Sequence, residues 1–144
     1  MDIFQQFENK GRGKFLEFSK TNDRIWAISF SEKRFDSWDV KFFSGLTSFV
    51  GEIKNRDIES TKIWPNQPEG FILEKKKYDC LHSHPEETKA FITIFNNELV
   101  IWDITKLKPE WIEMKYATTH KRENKRIKVV SYLTLGMATY RYKL

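Results

Sequence analysis

Trp38-Asp39-Val40-Lys41-Phe42-Phe43, and four residues later Ser48-Phe49-Val50-Gly51-Glu52-Ile53-Lys54, decide how this chain is read. Both runs are rich in β-branched and aromatic residues, which suit a pleated, half-buried surface. Side chains on a strand alternate faces, so Glu52 and Lys54 share one face and Ile53 takes the other. Asp39 opens the first of the two strands. A hairpin between them brings Asp39 beside Glu52.

The rest of the chain is read outward from this pair. Upstream, Ile25 to Phe30 is an apolar run and reads as a buried strand. Residues 2–20 read as helix on Phe4, Phe7, Leu16 and Phe18, with Gly11 and Gly13 expected to break it in two. Downstream, Trp64-Pro65-Asn66-Gln67-Pro68 ends any strand. Residues 68–82 then read as a helix, with Pro68 in its first turn and Phe71, Ile72, Tyr78 and Leu81 as an inward stripe. Ala90–Phe95 and Glu98–Trp102 flank Asn96-Asn97, a pair that tolerates the positive φ of a two-residue hairpin turn. Trp111 to Tyr116, Val129 to Leu133 and Met137 to Tyr142 are further strand candidates. The order is helix, three strands, helix, hairpin and a strand-rich tail. This is an α/β (α+β) layout around one mainly mixed sheet.

Composition sets the bounds. The chain has 144 residues, 40% apolar and 15% aromatic, and is read as a single domain over 1–144. That aromatic content excludes a disordered chain. No run of 18 apolar residues exists to span a membrane, and Met1-Asp2-Ile3-Phe4 lacks the basic and apolar regions of a signal peptide. The one cysteine, Cys80, offers neither an intrachain disulfide nor zinc spacing. A soluble, cytoplasmic protein is expected. The net charge of +5 is uneven: residues 105–144 hold ten Lys and Arg against three Glu. The densest run is Lys121-Arg122-Glu123-Asn124-Lys125-Arg126-Ile127-Lys128, read as a loop. A basic tail behind a slightly acidic body points to a polyanionic partner, and Lys121, Arg122, Lys125 and Arg126 are its candidate phosphate contacts.

Two carboxylates converging at one sheet edge can hold a hard cation such as Mg²⁺ or Mn²⁺ through oxygen ligands. A bound metal lowers the pKa of a coordinated water and neutralises charge on a phosphate oxygen. A lysine two residues on can orient that water or stabilise the charge that builds up. Asp39, Glu52 and Lys54 are thus the parts for metal-assisted phosphodiester hydrolysis. An acid two residues before a lysine recurs at Glu8, Asp39, Glu52, Glu74, Glu87, Glu113 and Glu123, so context and not the triplet selects the site. A rival set, Asp103 with Glu113-Met114-Lys115, has no amphipathic helix after it to pack on its strands. His82 and His84 sit at a helix end before Pro85 and are assigned no metal. Trp26, Trp38 and Trp102 are read as core, and Cys80 as a small hydrophobe.

Phe35-Asp36-Ser37-Trp38-Asp39-Val40 with Val50-Gly51-Glu52-Ile53-Lys54-Asn55-Arg56 resembles the core of the PD-(D/E)xK nuclease superfamily, above all its small phage and mobile-element members. The order helix, three strands, helix, strand is similar to that superfamily's restriction-endonuclease-like core. Gly70 to Asp79, Ile94 to Asp103 and Thr118-Thr119 ahead of a basic segment extend the likeness over most of residues 35–130. The resemblance implies Asp39 and Glu52 as metal ligands, the Ile53 carbonyl as a third, and Lys54 as the catalytic lysine. Many members add a glutamate from the first helix. Glu8 and Glu17 both qualify, and Glu17 is preferred. Asp36 is a second acid near the site, better suited to a turn. Where some members carry a glutamine on the second helix, this chain offers Lys75, Lys76 and Lys77, with Gln67 ahead of them.

The expectation is a Mg²⁺-dependent endonuclease acting on DNA, possible as a homodimer because one centre cuts one strand. One rival is a nucleic-acid- or protein-binding module on the same fold with weak or no catalysis. The other is an unrelated α+β interaction protein whose acidic pair is accidental.

Overall fold

The structure, a computed structural model, describes residues 3–32, 37–63, 72–118 and 121–144. Within them, the side chains of 3–5, 7, 8, 63, 116–118 and 121–126 lie outside the description. The elements in chain order are α1 (Ile3–Lys20), β1 (Ile25–Phe30), β2 (Val40–Ser44), β3 (Thr47–Asn55), α2 (Ser60–Ile63), β4 (Ile72–Glu74), α3 (Lys75–His82), β5 (Thr88–Ile94), β6 (Glu98–Asp103), β7 (Ile112–Thr118), β8 (Lys121–Tyr132) and β9 (Tyr140–Lys143). A short 3₁₀ turn covers Leu135–Met137.

Six strands form a mixed sheet in the order β1-β2-β3-β5-β6-β9. Only β3 and β5 run parallel. Their connection must therefore cross over one face of the sheet, and it carries α2, β4 and α3. α1 packs on the opposite face, where Phe15 and Phe18 meet Phe42, Phe49, Ile53 and Ile92. On the crossover face, Leu73 and Leu81 close over Val50, Phe91, Val100 and Trp102. β5 is buried along its whole length, as suits a central strand covered on both faces. A second sheet, β4-β8-β7, lies on the crossover side and places β4 antiparallel to β8.

Several elements differ from the sequence reading, each for a physical reason. Gly11 and Gly13 do not break α1. A Cβ at Gly11 would stand 3.2 Å from Ile53 Cγ2 and 3.3 Å from Asn55 Cβ, so this glycine is where the helix presses closest on β3. The β1 strand is an edge, not a buried run. Trp26 is 49% exposed, stacks on Phe43 and donates its indole N–H to the Gly45 carbonyl. Of the helix expected over 68–82, residues 68–71 lie outside the described part, 72–74 form β4, and only 75–82 are helical. The basic run at 121–128 is not a loop. Its backbone belongs to the long strand β8, paired with β7, and the candidate at Val129 is the end of that strand. The strand-rich tail is divided between the sheets: β7 and β8 pair in the second, and β9 adds to the main sheet beside β6.

Candidate active site

The β2–β3 ladder runs from Ser44 opposite Thr47 to Val40 opposite Gly51, and there it stops. Its last bond is from the Asp39 N–H to the Gly51 carbonyl, 2.9 Å. β3 continues for four more residues beside β5. Gly51 permits that tight approach, since a Cβ there would lie 3.0 Å from the Ala90 carbonyl oxygen. Where β2 has left, Asp39 fills the gap with its side chain: Oδ2 accepts the Ile53 N–H at 2.9 Å. N–H and C=O of one extended residue point to the same side, so the Ile53 carbonyl opens on this gap as well. The Asp39 carbonyl accepts the Ser31 N–H at 3.0 Å, and Arg12 of α1 donates to the Ser31 carbonyl and hydroxyl at 2.9 and 3.0 Å. The same guanidinium lies 3.6 Å from Asp39 Oδ1. Helix, edge strand and turn thus fix one carboxylate.

Glu52 follows from strand alternation. It sits on the crossover face, only 4% exposed, where Lys54 Nζ and Lys77 Nζ each lie 3.4 Å from its Oε1. Burial drives its carboxyl above the ordinary 4.5, and the charge of Asp39 pushes the same way, against the pull of the two lysines. Burial lowers the Lys77 ammonium, but the charges of Glu52 and Asp39 outweigh it and hold the group above its ordinary value. Near these charges, at the end of β4, is Glu74. Burial raises its carboxyl, but Lys128 of β8, 2.9 Å away, together with Lys54 and Lys77, brings it below the usual range.

The structure therefore brings Asp39, Glu52 and Lys54 to one place, with Ile53 between them. It adds Lys77, one of the three α3 lysines noted in the sequence, and Arg12, which nothing in the sequence pattern marks. Glu17 is elsewhere. It is exposed and paired with Lys20 at 2.9 Å, about 7.5 Å along the helix axis from Arg12. Glu8 stands one turn before Arg12 in α1, and its side chain lies outside the described residues. The backbones of Lys121, Arg122, Lys125 and Arg126 are placed in β8, but their side chains are outside the description, as are Asp36, Trp64 and Gln67. The rival set is split between two sheets: Asp103 ends β6 and caps Thr105, whereas Glu113 is on β7. The histidines are also apart. His82 bonds the carbonyls of Tyr78 and Thr105, and His84 bonds the Ser37 hydroxyl.

Among the described residues no group of three or more His, Cys, Asp or Glu side chains comes together. The donor set is two carboxylates and a main-chain carbonyl, all hard oxygens. That fits an ion such as Mg²⁺, which takes one or two carboxylates and keeps several waters. Also among the described residues, no helix is long and apolar enough to cross a membrane. Comparison of the chain with protein-family models, curated proteins and solved structures finds no match.

Proposed function

We propose that this protein is a Mg²⁺- or Mn²⁺-dependent nuclease that hydrolyses phosphodiester bonds of DNA on a restriction-endonuclease-like core. The observation that carries the reading is the splayed end of β2 and β3, where Asp39 turns toward the backbone of Ile53 beside the buried Glu52 and its part-exposed partner Lys54. Asp39, Glu52 and the Ile53 carbonyl would hold the ion. When bound, it supplies an acidified water and charge neutralisation at the phosphate. The chain's own part is electrostatic and positional. Lys54 stands where it can orient the attacking water, and Lys77 brings a second ammonium to the same carboxylate oxygen, suited to a phosphate oxygen. Arg12 holds Asp39 in place through Ser31.

The test is purified protein with plasmid and with single-stranded DNA, with and without Mg²⁺ or Mn²⁺. Asp39→Asn, Glu52→Gln and Lys54→Ala should each remove metal-dependent cleavage while the protein stays folded. Cleavage by all three at the parent's rate would overturn the reading. Metal-independent DNA binding with no cleavage by the parent would support the binding-module alternative instead.

The basic strand supports a DNA partner. Lys121, Arg122, Lys125 and Arg126 are proposed to contact backbone phosphates without reading sequence. Each phosphate neutralised on duplex DNA contributes about −0.9 to the slope of log affinity against log salt. Changing all four to Ala should flatten that slope and weaken binding evenly across sequences. An unchanged slope would place the DNA on another surface.

A further inference from the structure

The face that carries Glu52 and Lys54 holds two polar side chains that the site does not use. Arg56 follows the last residue of β3, and continued alternation puts it on this face, next after Lys54 and about 6.6 Å further on. The Arg56 N–H extends the parallel ladder by bonding the Ile94 carbonyl at 2.8 Å. Thr93 of β5 is the register partner of Lys54 and shares the face. It is 1% exposed, yet its Oγ1 has no hydrogen-bond partner. Arg56 Nε is likewise buried without a partner, and no carboxylate among the described residues pairs with its guanidinium. Burial alone holds the pKa of this group below its ordinary value.

Folded chains rarely leave buried polar groups unpaired. Here two such groups stand on β5 and just past the end of β3, one step from Lys54. A guanidinium only donates, and a threonine hydroxyl can donate, so what both lack is an acceptor. A water could satisfy either group, but no anion among the described residues faces the half-buried arginine. A phosphate oxygen answers both needs. We propose that Arg56 and Thr93 form a phosphate subsite beside Lys54, which takes a substrate phosphate neighbouring the one attacked. That the phosphate belongs to a nucleic acid rests on the nuclease reading. That the site takes phosphate does not.

The test uses the full chain, following the Arg56 Nε–H by ¹⁵N NMR during titration with inorganic phosphate and, separately, with a short thymidine oligonucleotide in the absence of divalent metal. Both should shift this resonance saturably, the oligonucleotide at lower concentration if nucleic acid is the source. Arg56→Gln should weaken oligonucleotide binding about tenfold or more, and Thr93→Val about three- to tenfold. Thr93→Val deletes only an unpaired hydroxyl, so its thermal midpoint should not fall, which separates lost binding from lost folding. A resonance that phosphate leaves unmoved, or variants that bind like the parent, would overturn the subsite even if the parent cleaves DNA. A resonance that phosphate shifts in a protein that never cleaves would uphold the subsite and sink the hydrolytic reading.

Discussion

Two glutamates are buried to nearly the same degree in this protein, Glu52 at 4% and Glu98 at 6% exposure, and their surroundings are opposite. Glu98 is fastened. Arg141 of β9 grips it with two bonds of 2.7 and 2.9 Å, and Ser60 at the start of α2 donates its hydroxyl to the same carboxylate. The Arg141 bond outweighs burial and, with Ser60, holds this carboxyl below its ordinary range. Among the described residues, Glu52 has two ammoniums at 3.4 Å and a neighbouring carboxylate that repels it. One region spends its charge on joining three elements. The other gathers two carboxylates and two ammoniums in one place and raises the carboxyl of Glu52, the kind of perturbation that clusters at functional sites.

The comparison can be broken by experiment. The largest expected effect is on activity: Glu52→Gln should lower metal-dependent cleavage by about 100-fold or more, since even residues that merely support metal ligands cost up to about that factor. It should leave the thermal midpoint unchanged or higher, because it removes a poorly compensated buried charge. A marked fall in stability would make Glu52 a structural residue like Glu98. Next, Arg141→Met should lower stability by about 2 kcal/mol by stranding the Glu98 carboxylate, while cleavage per folded molecule stays at the parent's level. Urea unfolding with parallel activity assays measures both.

A smaller effect lies in the acid limb. The folded pKa of Glu98 is depressed, so its contribution to stability is complete above the unfolded value near 4.5 and is lost as pH falls through the lower folded value. The parent should therefore lose stability more steeply than Arg141→Met below pH 4.5. Parallel curves would show that the pair is not what fastens β9. The smallest effect belongs to Glu17. Its pair with Lys20 is exposed on both sides, so Glu17→Ala should change stability by less than about 0.5 kcal/mol and leave cleavage intact. A large loss of cleavage would return Glu17 to the site.

How much of this was legible in the sequence follows from how local each cause is. Asp39, Glu52 and Lys54 could be read because a hairpin and a two-residue alternation place them, and both are local. The unbroken α1 could not, because the space Gly11 fills is set by Ile53 and Asn55 across the fold. The exposed Trp26 and the buried Trp102 look alike in sequence. One lies on an edge strand and the other beneath Phe91 with its N–H on the Thr134 carbonyl. β4 is three residues long, too short for any periodicity, and β8 is too charged in its first half to show an apolar face. Arg12 joins the site by a contact with residues 19 and 27 positions away, which no spacing rule anticipates.

The pairing of β4 with β8 also governs when one corner of the fold can be complete. Ile72 lies opposite Tyr132, so the short strand leading into α3 waits for a partner about 60 residues further along. At the usual pace of synthesis that wait is roughly 3–12 s on the ribosome. Asp39 and Glu52 can be paired early by their hairpin. The Glu74–Lys128 pair cannot close until β8 has emerged. The nascent protein can therefore form the hairpin that carries Asp39 and Glu52 well before Glu74 meets Lys128, and this corner of the fold is completed in the order in which the chain is made.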